Sequence, residues 1–185
     1  MNLATLPPFN EGSDGLNVII ETPKDSRNKF TYDLEREFFQ LKGTLPVGAS
    51  FPYDFGFVPS TLGEDGDPLD VLVLMEEPAF AGCLVEVRLI GVLEVEQTED
   101  GHTEKNDRLI AVFPKSPLYE AVQSLNDLSE GLLHQIEHFF KSYNEVKGGQ
   151  LRVTARRDAS RARELIGQGE KLFKEQQAPK GQAAT

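Results

Sequence analysis

Three carboxylates fall within six residues in Asp65-Gly66-Asp67-Pro68-Leu69-Asp70. The segment leads straight into the apolar run Val71-Leu72-Val73-Leu74-Met75. Asp, Gly and Pro favour turns for local backbone reasons, so a polar surface turn accounts for the composition alone. Two details go further. Asp70 adjoins Val71, where the chain dives into a core, and Pro68 restricts the backbone of Asp67 before it. Negative charges this close persist beside a core only with a counter-charge, and a divalent cation supplies one efficiently. An EF-hand loop does not fit, because Asp70 stands where its glycine belongs and Leu69 precedes it. Donors that are all oxygen, on a compact turn, suit a hard cation, Mg²⁺ or Mn²⁺, better than zinc.

The rest of the composition constrains the ligand. The 185 residues carry 30 acidic and 19 basic side chains, a formal charge of −11. That balance argues against nucleic acid and anionic membranes as partners. It would also repel a small anionic substrate unless cations intervene. Cys83 is the single cysteine, which excludes an intramolecular disulfide and a thiolate zinc site. The first residues lack a basic, then apolar, signal pattern, and no apolar run approaches membrane-spanning length, so a cytoplasmic location is expected.

The elements that must position these carboxylates read as α+β. Residues 1–15 form an irregular arm, and residues 176–185 are expected to be a disordered tail, leaving one domain over 1–175. Strands are predicted at Val18–Ile20, Lys29–Leu34, Phe38–Leu41, Val71–Met75, Leu84–Val95, Leu109–Phe113 and Leu151–Val153. The Pro-rich stretch Leu45–Thr61 should be extended or looped, and Gln97–Asp107 a polar loop. A helix over about Leu128–Glu145 turns Leu133, Ile136, Phe140 and Tyr143 inward, with Asn126, Asp127 or Ser129 as N-cap. A second helix starts near Asp158 or Ser160 and is weakened by Gly167 and Gly169. Short strands followed by two helices predict a small closed barrel with helices on one side.

The Asp65–Val71 heptapeptide resembles the signature of the soluble family I inorganic pyrophosphatases. Other segments are similar in the same order: Val18-Ile19-Ile20-Glu21-Thr22-Pro23 with Lys29, Phe51-Pro52-Tyr53-Asp54-Phe55-Gly56-Phe57, Gly91-Val92-Leu93, Asp107–Val112, and the helix from His138 to Tyr143. The likeness covers roughly residues 15 to 170. It implies an OB-like barrel flanked by two helices, and Mg²⁺-dependent hydrolysis of pyrophosphate to two phosphates by a commonly hexameric enzyme. It implies Asp65, Asp67 and Asp70 as metal ligands, with Asp67 also accepting a proton from the attacking water, and Glu21 as an active-site carboxylate. Lys29 and Tyr143 match phosphate-binding positions.

Several positions depart from that pattern. Thr31 stands for a Glu, Lys42 for a phosphate-clamping Arg, and Phe51 and Phe55 for tyrosines. Asn106 takes the place of a metal-binding Asp, Arg108 of a Lys, and Asn144 of a Lys. Lys42, Phe55 and Arg108 stay in the expected substrate-binding set and Asn106 in the metal set. Lost charge and lost directional donors point to fewer or weaker cations. A loop acid, Glu99 or Asp100, could restore one carboxylate. The alternatives are hydrolysis of another phosphoanhydride, or a pyrophosphatase-like module that binds phosphate or assembles without efficient turnover.

Weaker patterns have plainer readings. His134 and His138 lie one helical turn apart, off the apolar face, and read as surface residues. Arg152, Arg156, Arg157, Arg161 and Arg163 read as a solvated face or subunit contact. Cys83 reads as a small core or loop residue, Phe57 as core, and Phe51 and Phe55 as pocket walls. Glu76, Glu77, Glu94 and Glu96 read as surface charge for solubility.

Overall fold

The computed structural model describes residues 2–10 and 12–177. In chain order the strands are β1 (Leu16–Thr22), β2 (Asn28–Asp33), β3 (Phe38–Thr44), β4 (Asp54–Phe57), β5 (Asp70–Leu74), β6 (Leu84–Glu99), β7 (His102–Lys105) and β8 (Arg108–Val112). Helix α1 (Glu130–Val146), strand β9 (Gln150–Arg157) and helix α2 (Ala159–Gln177) complete the chain. Strands β1, β4, β5, β8 and β6 pair in that order, and β6 returns to pair with β1. The result is a closed ring of five strands in an OB-like, α+β fold, which leaves no free edge within the ring. β6 is long enough to serve twice: its first part closes the ring, and its second part carries β7 and β9. β2 and β3 form a separate hairpin.

The run Val71–Met75 is apolar throughout because both faces of β5 are covered. Leu72 and Leu74 join Ile110, Val112, Leu133, Ile136 and Phe140 in a cluster on the α1 side. Val71 and Val73 join Leu109, Ala111, Ala162 and Ile166 on the α2 side. Burying such aliphatic side chains contributes about 1.5–3 kcal/mol each before entropy is counted. The two helices therefore hold opposite faces of the same strands.

Four expectations change. Gln97–Asp107 is not a loop but the β6–β7 hairpin, in which Glu99 pairs with His102 around Asp100-Gly101. Both turn residues have positive φ, 50° and 80°, as the twist of a two-residue hairpin requires. Residues 2–10 and 12–15 are irregular but seated on the barrel: Leu3–Thr5 is a 3₁₀ turn, Ala4 is buried, and Phe9 bridges to Leu16. Gln176 and Gln177 belong to α2, while the rest of the expected tail, 178–185, lies outside the described residues. Gly169 is a contact rather than a weak point. A Cβ there would lie 3.0–3.1 Å from Leu69, Leu62 and Thr61, so its absence lets α2 approach the loop before β5. Ser129 is the N-cap of α1, accepting from the Leu132 amide.

Candidate active site

The aspartate turn is braced on three sides. Val58 N–H donates to the Leu69 carbonyl at 2.9 Å, closing the loop at its base. The Thr61 hydroxyl accepts from Leu69 N–H and donates to the Val58 carbonyl. Leu62 N–H donates to the Gly169 carbonyl at 3.0 Å, tying the loop to α2. Within the turn, Gly63 N–H donates to the Asp67 carbonyl at 2.7 Å, and Asp67 N–H donates to Asp65 Oδ1 at 3.1 Å. Gly66 has φ of +84°, a conformation that costs glycine little. Asp65, Asp67 and Asp70 thus face one cavity from a fixed backbone.

That cavity, of about 360 Å³, is lined by Glu21, Lys29, Phe55, Asp65, Asp67, Asp70, Asn106, Arg108 and Tyr143. Every expected site residue but one therefore meets there. Lys42 is the exception. It is exposed on β3 and borders an adjoining, largely apolar cavity of about 420 Å³, which shares Lys29, Thr31, Tyr143 and Lys147 with the first. The Lys42 charge still acts on Asp67 across the gap. Phe51 and Phe55 do form pocket wall, and Phe57, although buried, borders the cavity as well.

Residues that sequence reasoning passed over also face it: Gln97, Glu104 and Lys147. Glu99 lines the cavity, whereas Asp100 sits in the hairpin turn and does not. The Asp100-Gly101 pair was the available signal. A two-residue turn there makes a hairpin, and alternation along its arms brings Glu99 and Glu104 to the site.

Glu21 is buried on β1. It accepts the Tyr32 N–H at 2.6 Å and faces Lys29 Nζ at 3.5 Å. Burial pushes its pKa up to about 7, against the opposing pull of Lys29 and the Tyr32 amide. Lys29 lies 4.2 Å from the centre of the Phe55 ring, whose face steadies the ammonium. Asp65 is raised to about 6 by burial first, with Asp70 and Asp67 adding repulsion. Asp67 is raised by burial and then by Asp70. Tyr143 is raised by burial.

Arg108 opens β8 and forms an ion pair with Asp70 at the start of β5. It also donates to the Asn106 amide oxygen, and to Gln97 Oε1 at 3.3 Å. Asn106 in turn donates to Gln97. Among the described residues, no three His, Cys, Asp or Glu side chains close tightly enough to cage a metal unaided. An all-oxygen, partly open donor set suits a hard cation that keeps waters and shares itself with substrate phosphates. His134 and His138 are exposed, with His134 3.8 Å from Glu130, and lie outside the cavity.

Comparison with known proteins identifies the family. The inorganic pyrophosphatase family profile matches residues 18–174. The inorganic pyrophosphatase of Halalkalibacterium halodurans is 40% identical over 151 residues, covering 82% of this chain and 90% of the relative. That of a Nostoc species is 37% identical over 159 residues, covering 86% and 92%. The crystal structure of inorganic pyrophosphatase from Thermus thermophilus superposes with a TM-score of 0.85 at 35% identity, covering 94% of this chain and 99% of that one. The chain belongs to the inorganic pyrophosphatase family.

Proposed function

We propose that the protein hydrolyses inorganic pyrophosphate to two phosphates with a divalent cation, Mg²⁺ or Mn²⁺. One observation carries the reading: six carboxylates, Glu21, Asp65, Asp67, Asp70, Glu99 and Glu104, border one cavity that holds three basic side chains, Lys29, Arg108 and Lys147. A concentration of acid with so little internal compensation needs cations to admit a polyanion. Glu99 and Glu104 offset in number the carboxylates missing at Thr31 and Asn106.

Asp65, Asp67 and Asp70 hold the cation. Asn106, whose amide oxygen accepts from Arg108 as Asp70 does, offers a neutral and therefore weaker ligand beside them. A cation bound there acts as a Lewis acid on phosphate oxygens and lowers the pKa of water. Asp67 would orient the attacking water and accept its proton. Lys29 and Tyr143 bind phosphate oxygens, and Lys42 approaches from the adjoining cavity. The Phe55 ring holds Lys29 in place rather than touching phosphate through a hydroxyl. Glu21 anchors Lys29 from behind and shares the proton balance of the cavity.

The reading includes a cytoplasmic homo-oligomer, hexameric as the family resemblance implies, with neither nucleic acid nor membrane as partner. Exposed Phe80, Leu84 and Leu118 offer apolar contact area. No described helix is long and apolar enough to cross a membrane. Phosphate release from pyrophosphate with excess Mg²⁺, repeated with Mn²⁺, tests the reaction. Release no faster than from the Asp67→Asn variant, under both cations, would reject it.

A further inference from the structure

The register of two parallel strands places a cation against a metal-binding carboxylate. β5 and β8 pair with Val71 opposite Leu109 and Leu72 opposite Ile110. Asp70 and Arg108, each one residue earlier, are therefore neighbours at the same end of the sheet. Their backbones are fixed by the ring, so the pairing does not depend on one flexible rotamer.

The surroundings commit Arg108 to this position. Its side chain is 8% exposed. Asn106 and Gln97 accept from its N–H groups, and the guanidinium carbon lies 5.8 Å from the centre of the Phe140 ring. Both of these acceptors are neutral, and Asp70 is the one carboxylate that pairs with Arg108. Nε is buried with no partner, which leaves the fork one acceptor short. A phosphate oxygen would supply one, in the bidentate geometry that guanidinium prefers.

We propose that Arg108 is a positioning residue that serves as the resident counter-ion of Asp70 and couples cation binding there to substrate. Without substrate, the guanidinium neutralises Asp70, and a divalent cation must compete with it for the carboxylate. Pyrophosphate engages the guanidinium where it stands, through the unpartnered Nε, and by sharing its charge weakens its hold on Asp70 in favour of the cation. Cation and substrate therefore bind synergistically, and by linkage each strengthens the other by the same factor. The proposal rests on Asp65, Asp67 and Asp70 holding the cation.

Mn²⁺ binding to the full chain, followed by the loss of free-ion EPR signal beyond that caused by the analogue alone, tests it with and without methylenediphosphonate, a non-hydrolysable analogue. Wild type should bind Mn²⁺ at least tenfold more tightly with the analogue present. Arg108→Met should bind Mn²⁺ about tenfold more tightly than wild type without the analogue, and gain little from adding it. Arg108→Gln, which removes the charge but keeps a polar side chain, should bind Mn²⁺ more tightly than wild type without the analogue and supplies the test if Arg108→Met does not fold. Equal Mn²⁺ affinity in wild type and the variants overturns the proposal while leaving the cation site standing. No Mn²⁺ binding by any of the proteins overturns the cation site and the proposal with it. Loss of Mn²⁺ binding in Asp65→Asn, with Arg108 retained, supports the cation site on which the proposal rests, independently of the Arg108 result.

Discussion

Two acid-rich regions of this molecule treat the same side chain in opposite ways. On the face where β6 meets β9 and α2, Glu94 accepts from Arg157 and Arg161, both at 3.1 Å, and Glu96 meets Arg152 at 2.7 Å. Arg156 bridges α1 through Glu130 and Glu137 at 2.6 and 2.7 Å. Slight burial of Glu94 works against ionisation, but the arginine hydrogen bonds win and lower its pKa. In the cavity the balance reverses. Glu21, Asp65 and Asp67 are raised, chiefly by burial, and the nearby lysine and arginine do not compensate. Acid matched by arginine fastens secondary structure together. Acid left short of positive charge is poised for a cation that the chain does not itself contain.

The sharpest way to break this comparison is at the unmatched acids. Asp67→Asn should lower pyrophosphate turnover by about 10²–10⁴-fold, the usual range for losing a positioned proton acceptor. It should leave thermal stability in EDTA unchanged or higher, because a repelling buried carboxylate is gone. A large fall in stability with little loss of turnover would make Asp67 structural.

The next effect is in pH. Glu21 ordinarily titrates near 4.5 and in the fold near 7, so the folded state holds the proton more tightly than the unfolded chain. Its contribution is greatest below pH 4.5 and is lost as pH rises toward and past 7. The loss is on the order of 3 kcal/mol. Asp65 acts in the same direction. Calorimetric unfolding in EDTA should therefore show the melting temperature falling between pH 5 and 8. Glu21→Gln, which keeps an acceptor for the Tyr32 amide, should flatten the slope. An equal slope in wild type and variant would show that Glu21 is not the group responsible.

Gly169→Val probes the joint between the two regions. Its branched side chain would crowd Leu62 and Thr61 and push α2 from the loop that carries Asp65 and Asp67. The expected cost is about 1–3 kcal/mol in urea unfolding, with reduced turnover. Full stability would mean that the loop gives way easily.

The matched side should respond least. Arg156→Ala strands the largely buried Glu137 and should cost about 1 kcal/mol without changing turnover. Arg152→Ala breaks a pair whose arginine is 73% exposed and should stay within about 0.5 kcal/mol. Arginine variants that abolished turnover would erase the distinction between the two regions.

The contrast shows which features could be read before the fold was known. In the sequence, Glu94 and Glu96 read as plain solubility charge and the arginines as a solvated face or subunit contact, yet in the fold Arg152, Arg157 and Arg161 hold these two carboxylates. Their partners lie 56 to 67 residues away, beyond the reach of any local pattern. Glu104 escaped notice for a related reason: a polar stretch with no apolar alternation looks like loop until β6 offers it a ladder. Gly169 looked like a helix defect because propensity is local, while its use lies in a contact with a loop about a hundred residues earlier.

What local chemistry specifies was legible. Asp-Gly-Asp-Pro makes a turn, a run apolar on both faces makes a buried strand, and inward spacing at Leu133, Ile136 and Phe140 makes an amphipathic helix. From these came the α+β class, the carboxylate cluster and the need for a cation. The closure of five strands into a ring, the arrival of Glu99 and Glu104 on a hairpin, and the pairing of Arg108 with Asp70 were decided by tertiary structure. The physical reason is range. Turns and periodicities are set by neighbours along the chain, whereas the charge balance of a cavity depends on which distant strands lie in register across it.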